Sequence, residues 1–380
     1  MKLPTHDGYC KKRLAFWGAV VAGIAGVIGI AQNIARAGVS PTLQAQTLPA
    51  IPNQPLPAIP NEVPPSASPS ISTDNPWKNI RLVHTLQGHT GSIDALAFSP
   101  DDQFLISGGG SNDGNLKFWR LTTGKEIQTF RAHRMSVTAL AMSPDGETLV
   151  SCSGDGVVNI WNWKTGKYTR SFTQHSSNIL SLAISPDSRI LVTGALDGIK
   201  VWDLKAERPL YTLARFDNQT FAVAVRSDGQ TLVSGGANPN IKLWNLKSGQ
   251  YIGSFQGYGR GFSALAFTPD GQYLVSGSYD RTIKVWSVKT GQPIYSLSGH
   301  TDRIRSLAIS PDGQTLASAS KDGVRLWDLR SGQLLGLLSG HSDWVASVAF
   351  SHDGHTLATG GFDKTINIWT DLPIPEPTKK

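Results

Sequence analysis

The sequence predicts an all-β chain folded as a seven-bladed β-propeller of four-stranded antiparallel blades, and three observations carry that expectation. Trp119, Trp161, Trp202, Trp244, Trp286, Trp327 and Trp369 follow one another at gaps of 42, 41, 42, 42, 41 and 42 residues. A period in the low forties with strand-like sequence inside each unit is the mark of propeller blades. Each unit divides into short apolar runs separated by turn signals, and a segment ahead of the first unit reads like the last strand of the others.

The sixth unit shows the parts in order. Gly299-His300 precedes a first strand over Ile304 to Ile309, the turn Ser310-Pro311-Asp312-Gly313, a second strand from Thr315, the turn Lys321-Asp322-Gly323, a third strand ending at Trp327 and a fourth over Leu334 to Leu338. In the Ser-Pro-Asp-Gly turn, Pro presets φ, Asp bonds its own backbone and Gly supplies positive φ. The apolar positions only roughly alternate, as expected of strands covered on both faces by neighbouring blades.

These motifs identify a resemblance. Over residues 80–371 the chain resembles the WD-repeat propellers. The Gly-His pair stands at His89, His300 and His341, with the His alone at His133 and His175. The Trp-Asp pair survives at Asp203 and Asp328. A turn Asp precedes the Trp at Asp113, Asp155, Asp197, Asp280, Asp322 and Asp363, and a hydroxyl residue lies further back at Ser107, Ser151, Thr193, Ser234, Ser276, Ser318 and Thr359. The resemblance implies that His, Ser/Thr, Asp and Trp of one blade form a hydrogen-bonded chain. That is physically sound, because a buried indole keeps one N–H that needs an acceptor. The recurring His-Asp-Ser sets are therefore a building code and not catalytic triads. Two repeats depart from it: the fourth has Phe216 in place of His and Asn238-Pro239-Asn240 in place of the turn Asp, and the fifth has Tyr258 in place of His.

Closure needs a latch. Arg81 to Leu86 resembles a fourth strand, while the chain ends soon after the seventh Trp with three strands placed. Pairing the two would hide sheet edges that invite aggregation, and the closed ring predicts a monomeric propeller. Trp163 occupies the register of Leu204, Leu246 and Leu329 and reads as packing.

The first 79 residues differ. Residues 1–37 carry a basic start (Lys2, Lys11, Lys12, Arg13) and an uncharged run of 18, residues 14–31. That run is near the minimum for a membrane-spanning helix. The basic cluster ahead of it predicts an N-terminus on the cytoplasmic side and an exported propeller. Two readings stay open: a retained anchor, or a signal cleaved near Ala37. Residues 38–79 form a Pro-rich linker with ten prolines between Pro41 and Pro76 and the hexamer Leu-Pro-Ala-Ile-Pro-Asn twice. Such composition favours extended polyproline II over a packed core. Residues 372–380 read as a disordered tail.

The net charge of +7 does not point to nucleic acid, because basic and acidic residues are dispersed through every repeat and no Lys/Arg run interleaves with aromatics. Cys10 and Cys152 fall on opposite sides of the expected span, and Cys152 reads as a small buried apolar residue. No metal-ligand spacing, phosphate loop, cofactor motif or catalytic constellation stands apart from the repeat code. The expectation is a non-enzymatic scaffold for a protein or peptide; the alternative is an exported enzyme or small-molecule binder using the central channel. In the family, residues after the Gly-His pair and before the turn Asp face one end of the ring. Carried onto this sequence, those positions in blades five to seven are Arg260, Tyr279, Arg303, Arg305, Lys321, Trp344 and Phe362, against small or polar Ser92, Asn112, Ser136, Gly154, Ser177 and Asn178 in blades one to three. Trp, Tyr and Arg are the types enriched at interface hot spots, so the seven are the candidate partner site.

Overall fold

The computed structural model describes residues 75–215, 219–257 and 260–372. It contains seven four-stranded antiparallel sheets. Six of them take their strands consecutively from the chain. In blade one these are Ile93–Phe98, Phe104–Gly109, Asn115–Arg120 and Lys125–Arg131. The first strands of successive sheets lie beside one another all the way round, the last against the first, so the ring is closed. In blade six the first strand begins at Ser306, two residues after the start read from the sequence, and the fourth spans Leu334–Leu338 as expected.

The seventh sheet is the latch. Its first three strands come from the end of the ring, Val345–Phe350, Thr356–Gly361 and Thr365–Thr370, and its fourth is Arg81–Gln87. Leu82 pairs with Trp369 and Leu86 with Ile366, with a bulge between Leu82 and His84. A second tie was not read from the sequence. Asp102 stands where most blades have the Gly of the first turn and adopts a positive φ of 51°. Its carboxylate accepts from His352 N at 3.0 Å, His352 Nδ1 at 2.9 Å and Asp353 N at 2.8 Å, joining blade one to blade seven. Ser188, at the same position of blade three with φ 59°, accepts from Asp145 N of blade two at 2.9 Å. A non-glycine in the left-handed region is strained, and here each one's side chain bonds the preceding blade.

The propeller's packing starts ahead of the 79/80 boundary placed from composition. Pro76–Asn79 is a short 3-10 turn, and Asn75 caps it by accepting from Trp77 N. Trp77 is buried among Leu326, Leu338 and Val345, edge-on to Phe350 at 5.0 Å, in the seam between blades six and seven. Asn75 Nδ2 donates to Thr315 Oγ1 at 3.2 Å. A buried indole contributes on the order of 1.5–3 kcal/mol or more, so the end of the linker belongs to the fold.

Six of the seven first strands carry a one-residue bulge at the same end. The register shifts around Asp94, Thr138, Leu180, Phe221, Ser263 and Ala346. Arg305 holds the corresponding position in blade six. A bulge re-aims the residue on it, so seven residues, one per blade, form a ring around the axis.

The expected membrane span, residues 14–31, lies outside the described residues. Among the described residues no helix is long and apolar enough to cross a membrane.

Candidate protein-interaction site

The repeat code builds the blades as expected. In blade one His89 Nδ1 donates to Asp113 at 2.8 Å, His89 Nε2 is hydrogen-bonded to Ser107 Oγ at 2.7 Å, and Trp119 Nε1 donates to Ser107 Oγ at 2.8 Å. The carboxylate can only accept, so the ring carries its proton on Nδ1. Blades three, six and seven repeat it: His175 with Asp197 and Thr193, His300 with Asp322 and Ser318, His341 with Asp363 and Thr359. Blade two is looser, with His133 Nδ1 3.6 Å from Asp155. Burial pushes the pKa of His89, His175 and His300 below the usual histidine value, against the pull of the neighbouring Asp. Burial acts to raise the Asp113, Asp197 and Asp322 carboxyls, but the hydrogen bonds and the His partner outweigh it and hold them low. These groups are spent on one another.

Blades four and five keep only the inner half, Trp244 to Ser234 at 2.9 Å and Trp286 to Ser276 at 2.8 Å. Phe216 and Tyr258 lie outside the described residues. Asn238 nevertheless does one task of the missing turn Asp, accepting from Asn240 N at 2.9 Å as Asp280 accepts from Thr282 N. Trp163 packs between blades, its Nε1 donating to Gly146 O at 2.7 Å. Cys152 is fully buried, and burial pushes its thiol pKa far up.

Six of the seven candidate residues come together. The Arg303 guanidinium lies 5.6 Å from the Tyr279 ring centre and 5.1 Å from that of Trp344. Arg305 lies 5.7 Å from Trp344 and 4.7 Å from Phe362, and Lys321 Nζ is 5.9 Å from Trp344. Cations and rings thus alternate across blades five, six and seven, within the range where ring quadrupoles attract a cation. The loops that hold them are fixed by backbone bonds: Phe362 N to Trp344 O, Tyr279 N to Gly261 O, Arg305 N to Ala319 O. Asp302 and Asp343 accept from Arg303 N and Trp344 N and orient the turns. Arg260 is exposed and makes no such stack among the described residues.

Two participants were missed. Phe221 meets Tyr279 edge-on at 5.7 Å and extends the row into blade four. Asp94 sits on the bulge of blade one, next to blade seven, with Oδ1 buried and without a hydrogen-bond partner. Burial raises its pKa, opposed by Ser92 and by the Arg305 charge. Both stand on the bulge, which the sequence alone does not reveal. The other polar ring residues have structural work: Thr138 donates to Ile179 O and Ser263 to Ile304 O, each on the next blade. Arg305 has no such bond. Burial and the Arg303 charge lower its pKa below the usual arginine value, with Asp94 and Tyr279 opposing.

The chain matches WD40, described as "WD domain, G-beta repeat", in seven stretches: residues 80–120, 124–162, 166–203, 208–245, 249–287, 291–328 and 332–370. The chain belongs to the WD40 family. Similar curated proteins share single stretches of it. Protein Mut11 of Chlamydomonas reinhardtii is 42% identical over 64 residues, 17% of this chain and 16% of that protein. Cilia- and flagella-associated protein 52 of Homo sapiens is 47% identical over 45 residues, 12% of this chain and 7% of that protein. Ribosome biogenesis protein ERB1 of Yarrowia lipolytica is 40% identical over 48 residues, 13% and 6%. The matched stretches span less than a fifth of these relatives, so they carry the repeat and not a shared role. Membership makes protein binding the ordinary use of such a WD40 ring. Among the described residues no group of three or more His, Cys, Asp or Glu could hold a metal ion.

Proposed function

We propose that this WD40 propeller is a non-enzymatic docking scaffold whose partner, a protein or peptide, seats on the rim of blades five to seven. The single observation that supports this most is the alternating row of Tyr279, Arg303, Trp344, Arg305 and Phe362. The three rings are half-buried and not packed into a blade core, and they hold cations whose charges no carboxylate pairs among the described residues. Pre-ordered Arg and aromatic side chains reduce the entropy lost on association.

We further propose that residues 14–31 hold the propeller at a membrane through the Pro-rich linker, with the ring on the extracytoplasmic side. The uncharged run and the basic residues ahead of it support that reading. Protease added to intact spheroplasts should destroy the propeller; a protected propeller would refute export. The docking reading is tested by capturing partners from source-cell extracts with the full chain and with Trp344→Ala. Recovery of the same partners at the same yield by a folded Trp344→Ala chain would refute it.

A further inference from the structure

We infer that the occupant of this rim is an acidic peptide segment, its Asp or Glu carboxylates gripped in plane by the guanidinium edges of Arg303 and Arg305 beside the Lys321 ammonium. The inference rests on the docking reading and gives the partner's chemistry.

Arg303 and Arg305 are each flanked by two rings, and Lys321 lies over the same indole. Contact with rings leaves a guanidinium's N–H donors free to bind in plane. That fork matches a carboxylate bidentately. No ion pair neutralises these three cations among the described residues, whereas Lys117, Arg170, Arg226 and Arg325 all pair with carboxylates on other parts of the ring. Nor does any side-chain hydrogen bond engage the Arg303, Arg305 or Lys321 head groups there, while Arg131 and Arg325 do bond protein groups. Two unpaired guanidinia side by side repel, and Arg305 bears that repulsion together with partial burial. A negative group brought by a partner would relieve it. Asp94 is buried with Oδ1 lacking a hydrogen-bond partner, and it makes no ion pair with Arg303 or Arg305 among the described residues.

The same row argues against nucleic acid. Binding bases would need free ring faces for stacking, and here the rings already face cations. The three cations are also confined to the loops of blade six and form no track for a phosphate backbone.

The test uses the full chain and a short labelled peptide in which Glu alternates with Gly, read by fluorescence anisotropy. A Gln-for-Glu peptide, a phosphoserine-for-Glu peptide and a single-stranded oligonucleotide serve as comparisons. The Glu peptide should bind more tightly than the Gln peptide by about tenfold, as expected for charge-assisted hydrogen bonds. Binding should weaken with added salt. Arg303→Gln and Arg305→Gln should each weaken it by a similar factor, and Arg303→Lys should lose part of the affinity because it keeps charge but not the fork. Arg189→Gln, an exposed cation of blade three, should leave it unchanged. Equal binding of Glu and Gln peptides, no binding of the Glu peptide, or equal loss in Arg189→Gln would overturn the inference. Tighter binding of the phosphoserine peptide or the oligonucleotide would overturn the choice of carboxylate. If Trp344→Ala still abolished capture of native partners in any of those cases, the rim would remain a docking site and only its acidic occupant would be wrong.

Discussion

Blades one to three and blades five to seven present corresponding loops at the same end of one ring, yet the side chains there share almost nothing. In the first half the loops are closed by small groups on each other: Ser92 Oγ meets Ser111 Oγ at 3.1 Å, and Asn112 N donates to Ser136 Oγ at 3.3 Å. In the second half Arg303, Arg305 and Lys321 lie over Tyr279, Trp344 and Phe362. The supports beneath are common to both halves. His89 and His300 make the same two bonds, each to an Asp and a Ser. The brace therefore cannot explain the difference. In a repeat protein the shared residues build the blade, and function is written where one blade stops resembling the next.

The largest expected effect concerns closure, which both halves need. Deleting residues 1–87 removes the strand paired with Thr365–Thr370, the Trp77 plug and the Asn75 bond. It should expose an edge and give aggregated or unfolded protein. Deleting 1–74 should leave a folded ring. Equal solubility and equal melting of the two truncations would remove the latch from the account. Trp77→Ala in the full chain should fall between them, costing about 3–5 kcal/mol by loss of a buried indole, measured by urea unfolding.

The brace can be set against its own absence. His300→Ala should cost roughly 1–3 kcal/mol, since it takes one buried partner each from Asp322 and Ser318, which keep only their bonds to Arg325, Thr301 and Trp327. It should leave partner binding at the rim unchanged once folded. Binding lost along with stability would mean that brace and rim are not separable.

A smaller effect follows from pH. His89, His175 and His300 have folded pKa values below the ordinary 6.5, so the unfolded chain takes up protons first as pH falls. Stability should be full above about pH 6.5 and decline below it. The lowered Asp113, Asp197 and Asp322 add a second loss of the same sign as pH falls below their ordinary 3.8 and through the lower folded values. Hydrogen exchange at about pH 5 should quicken in blades one, three and six relative to blades four and five, which lack His among the described residues. Uniform quickening would contradict this assignment.

Much of this was legible in the sequence. The Trp period gave the blade number, and the His, Asp and hydroxyl positions gave the braces, because each is repeated and each answers a buried polar need. The latch was legible because Arg81 to Leu86 matches other fourth strands. Trp77 was not, because it occurs once and sits in a Pro-rich stretch that composition assigns to a linker. Phe221 and Asp94 were not, because a bulge re-aims a side chain without changing the alternation around it. Asp102 was hidden because an Asp in a turn is ordinary, and only its positive φ and its bonds to His352 and Asp353 show its use. The candidate rim came from the family's geometry applied residue by residue, and that geometry said nothing of how the cations would stack.

The central claim is that partners dock on the rim of blades five to seven and not elsewhere on the ring. The most direct measurement is partner capture by full-length chains carrying Trp344→Ala, Arg305→Gln, Ser136→Ala on the first half of the rim, or Tyr273→Ala in the groove between blades five and six that Asp270, Tyr295 and Arg330 line, with melting followed in parallel. The account predicts that the first two lose most of the captured partner with little change in melting, and that the last two capture as the unaltered chain does. Capture lost only in Tyr273→Ala, with Trp344→Ala and Arg305→Gln unaffected, would contradict it.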